Sequence, residues 1–104
     1  NHTKFINCTL NNADFSESNL EHSDFNGCTV KEAIFVSTRL QHSQLSNVNF
    51  MFSNFMQADL SKSNISKSNL YGCEFLGSIV SKTDFSRSNL DGTKLENWRP
   101  SKWQ

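Results

Sequence analysis

The chain has 104 residues, about the length of one domain, and its ten Lys and Arg balance ten Asp and Glu to a formal net charge of zero. That balance argues against a general nucleic-acid binder, so we expect no direct nucleic-acid binding. Hydrophobic residues make up 36% of the chain, and no long apolar run or charged leader marks a membrane span or a secretion signal. We therefore expect a soluble protein without a membrane segment.

A five-residue repeat organises the chain. Every position divisible by five from Phe5 to Leu95 is Phe, Leu, Ile or Val, which gives nineteen consecutive blocks without an insertion. Two positions before each of them lies Ala, Ser, Thr, Cys or Val, and the stretch 53–70 shows the pattern most clearly. A spacing of five places the apolar residues on one face of neither a helix nor a strand. The chain must therefore turn once per block, with the small and apolar residues inside and the other three outside.

Columns of similar residues indicate how many blocks form one coil. With a coil of twenty residues, similar residues lie above one another in several columns: Phe15, Phe35, Phe55 and Phe75; Cys8 and Cys28; His22, His42, Lys62 and Lys82. Stacked coils bury an apolar surface that one coil cannot bury alone. We predict four blocks per coil, so that nineteen blocks make about 4.75 coils.

These blocks resemble those of the pentapeptide repeat proteins, whose pattern is A-(D/N)-L-x-x, and the resemblance covers residues 3 to 97. It implies an all-β fold, a right-handed four-sided parallel β-helix. Ten of the nineteen blocks have Asp or Asn before the central residue. We expect the other nine to change only the surface: Lys4, Thr9, Thr29, Ile34, Arg39, Gln44, Glu74, Ile79 and Lys94. The β-helix is placed at 1–97 and a C-terminal cap or tail at 98–104.

The pattern fails after Leu95, because Trp98 occupies a small-residue position and Pro100 the next central one. Proline cannot donate to a sheet ladder, so we expect the last coil to stop there. Trp98 and Trp103 are predicted to cover the open end as a cap; the alternatives are a joint to another domain or a dimer contact. The sequence starts at Asn1, already inside the repeat, and we expect it to be a piece of a longer protein.

Residues that could carry chemistry have structural explanations. Cys8, Cys28 and Cys73 lie in the inward small-residue position and are predicted to be buried thiols, with a Cys8–Cys28 disulfide as the less favoured alternative. His22 and His42 share an outer column, but two histidines without a carboxylate or thiolate fall short of a zinc site. We therefore predict a solvated column and no metal.

Catalysis is not expected either. The repeat brings no Ser beside a His, and no glycine-rich phosphate loop is present. The four glycines, at 27, 72, 77 and 92, all occupy the second variable position of a block, where they ease a turn. We predict that the chain is not an enzyme and binds no cofactor.

Apolar residues at outward positions are the features that the repeat does not explain. Seven of them converge on one side of the predicted square: Ile34, Val36, Met51, Phe52, Met56, Tyr71 and Leu76. A contiguous apolar patch on the surface of a soluble protein usually marks an interface. We predict that this side binds a protein partner or a second copy; the alternative is that these residues shield a corner or are covered by another segment of the parent protein.

The sequence therefore favours a non-catalytic β-helical rod that serves as a protein-interaction or scaffold module. The family that it resembles includes repeat domains of bacterial secreted effectors, which implies a place in the cytoplasm of a bacterium or of a host cell. The alternative is the branch that protects DNA gyrase and related topoisomerases from quinolones by imitating duplex DNA. Those proteins have acidic surfaces, whereas this chain has a net charge of zero.

Overall fold

The computed structural model describes residues 2–93. Among these residues the regular elements are single-residue parallel β-bridges, with no helix and no longer strand. Fourteen bridges, each joining residues twenty apart, run from the pair Lys4 and Asp24 to the pair Asn69 and Asn89. The chain therefore completes one coil in twenty residues, as the columns predicted. The total of about 4.75 coils includes the block centred on Leu95, which lies outside the described residues, and it stays a prediction.

Each block turns at its two variable residues. The N–H of Ala58 donates a hydrogen bond to the carbonyl of Phe55 at 3.0 Å, and Gln57, just before Ala58, has a φ of 60°. All second variable positions from His2 to Gly92 have positive φ, which is the requirement of a type II turn. The four glycines occupy this position, as predicted, and their missing Cβ removes the steric cost of left-handed backbone.

Asp and Asn before the central residue fasten these turns. In all ten blocks that carry them, the side-chain Oδ1 accepts a hydrogen bond from the N–H of the first variable residue, at 2.9–3.2 Å. At Asp14, the hydroxyl and the N–H of Ser16 hold the pKa of the carboxyl below its usual value. The expectation that this position only varies the surface was therefore incomplete, because an apolar or basic side chain offers the turn no acceptor.

The interior is built from two kinds of inward residue. The rings of Phe15, Phe35, Phe55 and Phe75 stack with centroids 4.8–5.2 Å apart, and the last three are fully or almost fully buried. Buried hydroxyls in the small-residue position bind the coils to one another. The Ser53 hydroxyl, for example, donates to the carbonyl of Val30 at 2.7 Å. The low hydrophobic content is no obstacle to this fold, because most of the buried inward hydroxyls donate to a carbonyl of the preceding coil.

Candidate protein-interaction surface

The seven predicted interface residues, called the apolar side from here on, lie at outward positions of the described coils. Phe52 and Leu76 are each 51% exposed, Tyr71 is 41% exposed and Ile34 is 38% exposed. Val36, Met51 and Met56 are half-buried. The structure thus leaves four large apolar side chains exposed to solvent, along one wall of the square and at its corners. Ile6 and Ile79 are also exposed, but their columns lie elsewhere, as the repeat arithmetic predicted.

Aromatic rings and glycines fit together at the corner of the apolar side. A Cβ added to Gly72 would lie 2.5 Å from Cδ1 of Phe52, so the ring of Phe52 covers the bare backbone of the next coil. A Cβ on Gly92 would lie 3.1 Å from Cε1 of Tyr71, which places that ring over the following glycine in the same way. The two rings meet edge to face with centroids 5.6 Å apart. The corner is therefore packed, although half of Phe52 remains exposed.

Phe52 has an unfavourable backbone conformation for its size. Its φ is 61°, in the left-handed region, where glycine is the residue with the least strain. For a residue with a side chain this region costs roughly 1–2 kcal/mol relative to right-handed backbone. A Phe at this position places a large apolar ring outward at the tip of a turn. The fold alone would accept a smaller or polar residue here, as it does at Gly72 and Glu32 in the same column.

A cavity of about 430 Å³ opens beside Phe52. Its lining includes Phe52 and Met56 from the predicted set, and also Glu32, Gly72 and Glu74. The Oε2 atom of Glu74 is buried and accepts no hydrogen bond from any described residue. Sequence reasoning missed the two carboxylates because it looked only for apolar residues. The column arithmetic could have found them, since Glu32 shares a column with Phe52, and Glu74 follows Asn54 by one coil.

Charge is distributed unevenly around the square. The four blocks 13–17, 33–37, 53–57 and 73–77, which form one wall of the apolar side, contain three carboxylates and no Lys or Arg: Asp14, Glu17 and Glu74. The opposite wall, formed by the described blocks centred on residues 5, 25, 45, 65 and 85, contains three basic and two acidic residues. A net charge of zero therefore conceals an acidic apolar side and a more basic opposite side.

The histidine–lysine corner, defined as His2, His22, His42, Lys62 and Lys82, lies away from the apolar side. The imidazole of His22 stacks on those of His2 and His42, with centroids 4.9 Å apart and planes within 9° of parallel. Sequence reasoning had omitted His2 from this column. Within residues 2–93 no group of three or more His, Cys, Asp and Glu side chains is arranged to hold a metal ion.

The three cysteines are free thiols in the structure. Cys28 and Cys73 are buried as predicted, whereas Cys8 is partly exposed. Cys28 contacts Cys8 in the neighbouring coil, accepting a hydrogen bond from the Cys8 N–H at 3.4 Å and donating to the carbonyl of Phe5. Burial raises the pKa of Cys28 and raises that of Cys73 to about 12. The less favoured disulfide alternative is not the state seen here.

Two further predictions concern the ends and the membrane. Trp98 and Trp103, the proposed cap, and the tail 98–104 lie outside the described residues. Across residues 2–93, no helix has the length and apolar character to cross a membrane.

Two protein-family profiles match the chain and together cover residues 1–97. The sequence profile described as "Pentapeptide repeat region" matches residues 1–75, and the profile "Pentapeptide repeats (8 copies)" matches residues 68–97. No curated protein sequence matches the chain significantly.

Solved structures share its fold. The pentapeptide repeat protein Rfr23 from the cyanobacterium Cyanothece 51142 is 24% identical with a TM-score of 0.82, over 85% of this chain and 60% of Rfr23. The pentapeptide repeat protein alr5209 from Nostoc PCC 7120 is 25% identical with a TM-score of 0.56, over 85% of this chain and 64% of that protein. QnrB1, a plasmid-mediated fluoroquinolone resistance protein, is 15% identical with a TM-score of 0.52, over 89% of this chain and 70% of the trypsin-treated QnrB1.

The chain spans less than two thirds of Rfr23 and of alr5209. The structural likeness shows the fold, a right-handed quadrilateral β-helix, as the sequence resemblance implied.

Proposed function

Because the chain belongs to the pentapeptide repeat family, whose β-helix offers long columns of outward side chains, we propose that it is a non-catalytic protein-interaction module that binds through its apolar side. The observation that carries the proposal is the exposure of Phe52, Leu76 and Tyr71 on the same side of the square. Exposed apolar area of this kind is costly in water and is removed from it when a partner binds.

The conformation of Phe52 supports the same proposal. At this positive φ, the backbone of Phe52 is less stable than the backbone of a glycine would be. Any benefit of Phe52 must therefore come from contacts of its side chain. Half of that side chain makes no contact within the described residues. Aromatic residues are enriched in protein interfaces, and a half-exposed ring is suited to serve as an anchor.

The proposed setting is a longer bacterial protein, such as a secreted effector, in which the rod holds or recruits a partner while other domains supply any chemistry. This part of the proposal is analogy with the family. The proposed compartment is the cytoplasm of the bacterium or of a host cell.

The test is a double substitution, Met56→Lys with Leu76→Glu, compared with Ile79→Glu as a matched control. Ile79 is exposed to the same extent as Leu76, 51%, but lies off the apolar side. We expect the double variant to lose self-association in sedimentation velocity or to lose the partner captured by the native parent protein, while Ile79→Glu retains both. If the double variant behaves as the native protein in both assays, the apolar side is not the interface.

A second candidate function is protection of DNA gyrase by imitation of duplex DNA. The feature that favours it is the acidic wall at 13–17, 33–37, 53–57 and 73–77, which contains no basic residue. The fold shared with QnrB1 carries no weight here at 15% identity. Gyrase supercoiling in the presence of a quinolone, with and without this protein, separates the two candidates. Restored supercoiling would favour DNA imitation, and no restoration would favour the interaction module.

A further inference from the structure

We propose that the cavity beside Phe52 receives an arginine side chain of the protein partner. This inference rests on the proposed function, because it names the group that anchors a partner to the apolar side. The cavity volume of about 430 Å³ lies at the lower end of the range of about 300–1,000 Å³ that is usual for ligand pockets. That volume leaves room for one long side chain.

The lining of the cavity combines an aromatic ring with negative charge. Phe52 contributes a ring whose outer part is exposed, and Glu32 and Glu74 contribute carboxylates from the coils before and after it. No Lys or Arg is among the described residues that line the cavity, so these carboxylates have no basic neighbour inside it. A cation is therefore the complementary group, attracted both by the carboxylates and by the face of the ring.

Glu74 gives the most specific indication. Its Oε2 atom is buried yet has no hydrogen-bond donor among the described residues. A buried acceptor without a donor is destabilising, and this cost is removed when the half-buried Glu74 side chain turns towards N–H groups that a ligand brings into the cavity. The other two buried side-chain atoms without a partner, on Ser23 and Gln41, belong to uncharged residues outside this cavity.

Arginine fits this lining better than lysine does. The guanidinium group is flat, so it can stack on the Phe52 ring while its N–H groups reach a carboxylate. It is also less strongly hydrated than an ammonium group, which lowers the cost of entering a partly apolar cavity. The methylene groups of the same side chain can pack against Met56.

The experiment uses the full chain labelled with nitrogen-15 and three synthetic tripeptides, acetyl-Leu-X-Leu-amide, in which X is arginine, lysine or citrulline. Citrulline has nearly the shape of arginine but carries no charge. In NMR titrations we expect the arginine peptide to shift the backbone N–H signals of Phe52, Gly72 and Glu74. We expect the citrulline peptide to bind about tenfold more weakly or worse, because a charge-assisted hydrogen bond is lost. The lysine peptide should fall between them.

Glu74→Gln should reduce affinity for the arginine peptide about tenfold or more by the same reasoning. Glu17→Gln is the matched control, since Glu17 is an exposed carboxylate on the same wall but outside the cavity lining. It should leave the affinity unchanged. Phe52→Leu keeps an apolar side chain but removes the ring, and it should weaken the arginine peptide more than the citrulline peptide. Unchanged signal dispersion in each variant verifies that the fold is retained.

Equal binding of the arginine and citrulline peptides, no binding of either, or unchanged affinity in Glu74→Gln would each overturn the arginine proposal. Failure of this kind is separable from failure of the proposed function. If Met56→Lys with Leu76→Glu still abolishes association while the arginine peptide does not bind the cavity, the apolar side is an interface that uses another anchor. If the double variant has no effect either, both proposals are wrong.

Discussion

The apolar side and the histidine–lysine corner use the same backbone for different surfaces. Phe52 and Lys62 both occupy the second variable position of a block, with φ of 61° and 59°. At the histidine–lysine corner, equal side chains in neighbouring coils stack on one another, as the imidazoles do at 4.9 Å. On the apolar side, a large ring instead covers a glycine of the next coil. The β-helix thus sets the position of each side chain, and the choice of outward residue sets the chemistry.

This comparison predicts that the outward side chains at the corners contribute little to folding on either side, whereas inward residues contribute much. Phe55→Ala should have the largest effect, because Phe55 is fully buried between Phe35 and Phe75. We expect it to lower the free energy of unfolding by about 3–5 kcal/mol. Phe52→Ala, three residues away but exposed, should lower it by less than about 1 kcal/mol. Urea denaturation measures both; a large loss in Phe52→Ala would mean that the apolar side is required for folding.

The next effect concerns the fit of ring and glycine. Gly72→Ala forces a side chain into left-handed backbone and pushes against the Phe52 ring, so we expect a loss of about 1–2 kcal/mol. Lys62→Ala at the histidine–lysine corner should change stability by about 0.5 kcal/mol or less, because a side chain already occupies that position. Combining Gly72→Ala with Phe52→Ala should recover part of the loss. Additive losses in this double-mutant cycle would show that the ring is not displaced.

The side-chain hydrogen bonds that fasten the turns should contribute equally to the free energy of unfolding on the apolar side and on the opposite wall. Asn54, on the apolar side, accepts from the Met56 N–H at 2.9 Å, and Asn64, on the opposite wall, accepts from the Ser66 N–H at 3.0 Å. We expect Asn54→Ala and Asn64→Ala each to cost about 1 kcal/mol in thermal or chemical unfolding. Gln44→Ala, in a block without this hydrogen bond, should cost less. Unequal losses for the two Asn variants would show that the walls differ in more than their outward chemistry.

The smallest effect on stability at neutral pH is expected for the buried thiol of Cys73, in the wall of the apolar side. Burial raises the pKa of Cys73 from 9.0 to about 12, so the folded protein holds its proton more tightly than the unfolded chain does. Its contribution to stability is fully present below about pH 9 and is lost as the pH rises from there towards 12. Cys73→Ala should remove this part of the alkaline destabilisation. With a thiol reagent at pH 8, the partly exposed Cys8 should react first and Cys73 only on unfolding.

Much of the fold could be predicted from the sequence, because a strict repeat leaves few ways to bury its apolar residues. The inward residues, the turn at each block and the twenty-residue coil all follow from the spacing of five and the matching columns. The hydrogen bonds of Asp and Asn were missed. They depend on the reach of a short side chain to one particular N–H, which spacing alone does not reveal.

The candidate site was predicted only in its apolar part. Phe52, Met56 and Tyr71 were placed on one side by column arithmetic, since each breaks the expectation of a polar outward residue. The cavity and its carboxylates were not predicted, because a charged residue at an outward position is ordinary until its environment is known. Burial of the Glu74 Oε2 atom depends on the arrangement of neighbouring side chains across the coils.

By itself, the sequence determined the coil, because nineteen apolar residues at a spacing of five can be buried together only if the chain turns in every block. It also determined which outward residues share a column. The tertiary structure alone decided how side chains in adjacent coils combine: rings over Gly72 and Gly92, stacked imidazoles, and an acidic cavity beside Phe52. The physical reason is that these residues are twenty positions apart in the sequence. Their contacts depend on how the coils stack and on side-chain rotamers, which a local sequence pattern does not specify.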